Sequence, residues 1–195
     1  MLLRQTLLYL PAQVLGPLAQ FIAVIVWTHY LSPAEMGVFA LIVAAQELFQ
    51  VGALFWFNLY TVRYYDAAGE HHDLQLFLNT ESAVLIAASI AAGLATLPLI
   101  AIVDTAWSPA LISATVIYAL SRGMVAQLSD RARAAHETLT YSVLQISWPL
   151  AGLMAGLFIV KLFGASVAAV LMGYALAQAV SLIYAFARLG VGTAP

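Results

Sequence analysis

The chain has 195 residues, of which 64% are hydrophobic and only 8% charged. Soluble domains carry about 25% charged residues, so this chain cannot cover a globule with solvated side chains and reads as an integral membrane protein. The absence of cysteine excludes disulfides, thiolate metal sites and thiol redox chemistry, and seven basic against nine acidic residues leave no footprint for nucleic acid.

Six apolar segments are predicted as membrane-spanning helices, at about 7–30, 36–62, 82–103, 109–128, 141–160 and 165–187. They are apolar on every face rather than alternating, which separates them from barrel strands. The expected fold is therefore an all-α polytopic membrane protein, a single six-helix transmembrane lobe over 1–195.

The first segment carries Gln13 and Gln20 on one face, with Pro11, Gly16 and Pro17 near them. It is too long, and too weakly preceded by charge, for a cleaved signal peptide. Ser32-Pro33-Ala34-Glu35 is a capping box that starts the second helix. Glu47 falls about 16 Å into that helix at about 1.5 Å per residue, near the midplane. Gln50, Asn58 and Thr61 continue a polar stripe from Glu47 toward Arg63. An ionisable group at this depth is costly and needs a cavity or a partner. After the second helix, Glu70-His71-His72-Asp73 reads as a solvated turn, since adjacent histidines do not share a helical face.

Ser108-Pro109 starts the fourth helix, and Arg122 lies roughly 20 Å into it. It either snorkels to headgroups or faces a cavity. Arg63, Arg131 and Arg133 fall at a membrane interface, in contact with lipid headgroups or with an arriving anionic headgroup. The fifth helix carries Ser142, Gln145 and Pro149 on one face, and Gly152 and Gly156 form a GxxxG that predicts close helix packing. Gly164 predicts a tight turn before the sixth helix. The polar residues of helices one, two and five predict a hydrated cavity, against the alternative of hydrogen bonds that only join helices.

Arg4, Arg63, Arg122, Arg131, Arg133 and Arg188 fall on one side and Lys161 on the other. The positive-inside rule then places both termini in the cytoplasm, and an even number of spans agrees by requiring both ends on one side. There is no P-loop, no zinc-protease or serine-hydrolase motif and no paired catalytic carboxylates. No catalytic residue, metal or cofactor is expected.

Leu31-Ser32-Pro33-Ala34-Glu35-Met36-Gly37-Val38-Phe39-Ala40-Leu41, followed by Thr61-Val62-Arg63-Tyr64-Tyr65, resembles the amino-terminal part of the bacterial polysaccharide flippases. These are also called O-antigen transporters or lipopolysaccharide biosynthesis proteins. They belong to the multidrug, oligosaccharidyl-lipid and polysaccharide exporter superfamily. Tyr141-Ser142-Val143-Leu144-Gln145-Ile146-Ser147 is similar to the fifth helix of that family.

The resemblance implies two six-helix lobes in a V, with the substrate between them. It implies a polyprenyl-pyrophosphate-linked oligosaccharide moved across the bacterial inner membrane. This chain matches the amino-terminal lobe, so the partners implied are the bilayer, the lipid-linked oligosaccharide and a second lobe. That lobe would come from further chain or from a second copy in a homodimer. On this reading Arg63 and Arg122 serve the pyrophosphate. Gln13, Gln20, Gln50 and Asn58 serve the glycan, and Glu47 couples a proton or cation to lobe movement. The alternative function is a non-catalytic scaffold subunit of a polysaccharide-assembly complex.

Overall fold

The structure, a computed structural model, describes residues 2–70, 74–103 and 108–189. It is all-α, and no strand occurs among the described residues. Six helices follow in order: α1 (Leu2–Tyr30), α2 (Pro33–Glu70), α3 (Leu74–Val103), α4 (Pro109–Ala134), α5 (Thr138–Phe163) and α6 (Val167–Leu189). The last five each contain a stretch long and apolar enough to cross a membrane, and Val14–Tyr30 of α1 is a shorter apolar helix. Large apolar side chains such as Phe21, Leu48, Trp56, Phe158 and Ile183 point outward, which water would penalise and hydrocarbon does not.

Local chemistry sets the helix ends. At the start of α2 the Glu35 carboxylate accepts from the Ser32 amide at 2.9 Å and from its hydroxyl at 2.7 Å, while the Glu35 amide donates to Ser32 Oγ at 3.3 Å. The predicted capping box is thus formed. The turn after α4 is a Schellman motif: the Glu137 amide donates to the Ala132 carbonyl at 2.8 Å and the His136 amide to the Arg133 carbonyl at 3.2 Å. It places His136 at φ 56°, a left-handed conformation usually left to glycine. Gly164 takes φ 93° in the α5–α6 turn, and Ser166 Oγ then accepts the Ala169 amide at 3.2 Å to cap α6.

Helices α6 and α4 form the interior, with 61% and 56% of their spans buried, against 33% for α2 and for α3. The α5–α6 contact is the closest. A Cβ on Gly173 would strike the backbone of Gly156, and one on Gly152 would strike the Tyr174 ring. This is the close approach predicted from the GxxxG. Pro149 has no N–H for the Gln145 carbonyl, and that oxygen lies where a Cβ on Gly16 would sit 3.3 Å away. The small residue lets α1 lie against α5 at that point. Helix α1 packs chiefly on α5 and hardly touches α2, its neighbour in sequence.

Candidate functional site

The divergence of α1 and α2 leaves a cavity of about 270 Å³ between them. Gln20 and Trp27 line it from α1, and Phe39, Val43 and Glu47 from α2. Tyr118 and Arg122 of α4, Trp148 of α5 and Tyr174 of α6 close its back. The sequence predicts walls from α1, α2 and α5; the structure adds α4 and α6, the two most buried helices.

Arg122 decides the electrostatics. Its Nη2 lies 2.8 Å and its Nε 3.0 Å from Glu47 Oε1. Its guanidinium also lies 4.5 Å from the centre of the Trp148 ring. Of the two sequence readings for Arg122, the structure selects the cavity. The Arg122 side chain is 15% exposed and that of Glu47 44%, so the cation is embedded and the carboxylate faces the open space. The two charges cancel, which is how both tolerate membrane depth.

Aromatic rings make up much of the rest. The Tyr174 ring lies 6.3 to 6.4 Å from those of Trp27, Phe39, Tyr118 and Trp148. Trp27 Nε1 donates to the Tyr174 hydroxyl at 3.1 Å, which satisfies the indole at zero exposure.

The polar stripe on α2 divides with depth. From Glu47 toward the α1–α2 turn, the same face of α2 presents Val43 and Phe39 to the cavity. In the other direction α3 and α4 close over the same face of α2. Gln50 is buried there, with Oε1 unpaired, and Leu54 and Thr61 are buried with it. Asn58 hydrogen-bonds the Asp130 carboxylate of α4. The sequence expectation of one continuous stripe is corrected accordingly: neighbouring helices bury its lower half. Arg63 is exposed, 5.5 Å from the Tyr64 ring, and roughly 24 Å along α2 from Glu47 at about 1.5 Å per residue. Of the proposed site residues, the cavity therefore gathers Gln20, Glu47 and Arg122; Gln50, Asn58 and Arg63 lie elsewhere. The side chain of Gln13, and the segment at His71–Asp73, lie outside the described residues.

A second polar cluster escapes sequence reasoning. Gln127 Nε2 donates to Glu81 Oε1 at 2.9 Å and to Thr61 Oγ1 at 3.2 Å. Arg131 Nη1 lies 3.8 Å from Glu81 Oε2, and its Nη2 donates to the Leu189 carbonyl at 3.3 Å. This joins α2, α3, α4 and the end of α6. Arg131 is 2% exposed, which corrects the expectation that it meets headgroups. Two residues on, at about 100° per residue, Arg133 faces outward and pairs with Asp130 at 2.7 Å. Gln46 and Gln178 were also missed: Gln46 donates to the Ala119 carbonyl at 3.2 Å, and Gln178 accepts from Ser121 at 2.6 Å. Their only signal was a polar residue inside an apolar run. No cluster able to hold a metal ion occurs among the described residues.

A helical bundle with lipid-facing apolar sides and an ion-paired internal cavity defines a multi-pass membrane protein of transporter-like build. The chain belongs to the polysaccharide biosynthesis protein family, whose model matches residues 2–191. Its role is in polysaccharide synthesis or export, and members of the family are transporter-like rather than catalytic. No curated protein and no solved structure matches the chain.

Proposed function

We propose that this chain is one lobe of a flippase that moves polyprenyl-pyrophosphate-linked oligosaccharide across the bacterial inner membrane. The observation that carries the reading is the cavity between α1 and α2, with an ion pair at membrane depth. A wall joining packed helices would have no reason to hold an Arg–Glu pair beside open space, where both charges lose hydration. A lipid-linked glycan needs such a polar recess within the membrane for its head, and lipid contact for its tail. A second six-helix lobe, from further chain or a second copy, faces the gap between α1 and α2. The basic end, where Arg63 and Arg188 are exposed, is the cytoplasmic one on this reading.

The test is flipping of a fluorescent lipid-linked oligosaccharide in liposomes, read by loss of access to an impermeant glycan-binding protein. Glu47→Gln and Arg122→Gln proteins should insert normally and flip slowly. Undiminished polysaccharide export in cells carrying both substitutions would favour a scaffold instead.

A further inference from the structure

The proposed substrate has two polar parts, a charged pyrophosphate and a glycan, and the cavity is built for only one of them. Resting on the flippase reading, we infer that the cavity between α1 and α2 takes an uncharged sugar ring of the glycan, and that Arg122 positions Glu47 rather than binding phosphate.

The first reason is the state of Arg122. Its Nε and Nη2 both reach Glu47 Oε1, and the guanidinium packs against Trp148. A phosphate arriving here would have to displace a carboxylate from the planar fork that recognises oxyanions. Glu47 and Arg122 are the charged side chains of the lining, and their charges cancel, so the cavity offers an anion no net attraction. The negative faces of the surrounding aromatic rings add none.

The second reason is what the lining does offer. Both contacts from Arg122 fall on Oε1 of Glu47, and the side chain is 44% exposed, which leaves Oε2 outside the pair. A carboxylate held in this way accepts hydrogen bonds from sugar hydroxyls. Gln20 on the facing wall supplies amide donors and an acceptor. Val24, which is exposed, and the half-buried Val43 supply the accessible apolar surface on which the C–H face of a pyranose packs, backed by the buried rings of Tyr174 and Trp27. The Trp27–Tyr174 hydrogen bond fixes the two rings behind that wall in advance, so little ordering is needed on binding.

Size gives the third reason. Pockets for drug-sized ligands occupy about 300–1,000 Å³, and about 270 Å³ suits one ring of a glycan rather than the whole chain.

The experiment uses the protein in nanodiscs, with Trp56 and Trp107 replaced by Phe so that fluorescence reports Trp27 and Trp148. Methyl glucoside, N-acetylglucosamine and inorganic pyrophosphate are titrated separately, at low and high salt. At least one of the neutral sugars should give a saturable change that salt leaves unaltered, since no net charge is involved. Glu47→Ala and Gln20→Ala should each weaken that change by about tenfold. Gln20 is exposed, so its removal leaves the bundle intact. Pyrophosphate that saturates the signal at lower concentration than either sugar overturns the inference, as does silence with both sugars. The liposome assay separates the underlying reading: sugar binding without flipping defeats the transport proposal alone, and flipping by a protein blind to sugar defeats the cavity assignment alone.

Discussion

Glu47 and Arg122, 75 residues apart in sequence, meet at 2.8 Å across a cavity wall, with the arginine packed on Trp148. The pair joins α2 to α4 at the depth where α1 swings away, so it serves the cavity's chemistry more than the bundle's cohesion. The carboxylate side of the pair is 44% exposed, and a glutamine at either position keeps a polar partner for the other residue. Glu47→Gln or Arg122→Gln should therefore lower thermal stability only slightly while reducing flipping about tenfold or more. Exchanging the two charges, Glu47→Arg with Arg122→Glu, should restore part of the flipping. No recovery in the exchange would show that the individual groups, and not the pair, matter.

The Glu81 cluster predicts the opposite balance. Glu81 and Arg131 are almost wholly buried, at 3% and 2% exposure. Glu81→Leu strands Arg131 and Gln127, and removing one partner of a buried pair costs about 3–5 kcal/mol. Glu81→Gln keeps an oxygen for Gln127 and should cost less. Glu81→Leu combined with Arg131→Leu should recover much of the loss, because both buried charges are then gone. Unfolding midpoints in detergent of the parent, Glu81→Leu, Arg131→Leu and the double variant form the cycle that checks this.

Gly173→Ala should separate α5 from α6. The added carbon meets the backbone of Gly156 and Ala155, which cannot rotate aside. Overpacking of this kind costs about 1–3 kcal/mol. Gly52→Ala is the control, since nothing lies within 4 Å of its added carbon. It should unfold no earlier than the parent protein.

Sidedness follows from the arginines. Reporters inserted in the His136 turn should read cytoplasmic, and reporters in the Gly164 turn periplasmic. The first turn is flanked by Arg131, Arg133 and Arg188, the second by Lys161 alone. The reverse pattern would invert the side assigned to the cavity.

Much of the architecture was legible in the sequence. Membrane insertion depends on transfer free energy summed along a segment, and composition carries that sum. The cap at Ser32 and Glu35, the turn at Gly164 and the tight contact at Gly152 and Gly156 depend on residues a few positions apart or on a missing side chain. The Schellman turn at His136 was hidden, because its signature is a glycine and this chain places a histidine there.

Helix rotation and neighbours were decided by tertiary structure alone. In a soluble bundle, polarity marks which face looks outward; in hydrocarbon the outward and inward faces are equally apolar, so the sequence carries little periodic signal of orientation. Sequence analysis could place Glu47 and Arg122 at depth but could not join them. It could not tell that Arg131 turns inward while Arg133 turns out. Nor could it bring Trp27 to Tyr174, 147 residues away, to build the aromatic side of the cavity. Such pairings arise only when helices distant in the chain settle against one another, because a polar group buried in the membrane must find its partner on whichever helix lies beside it.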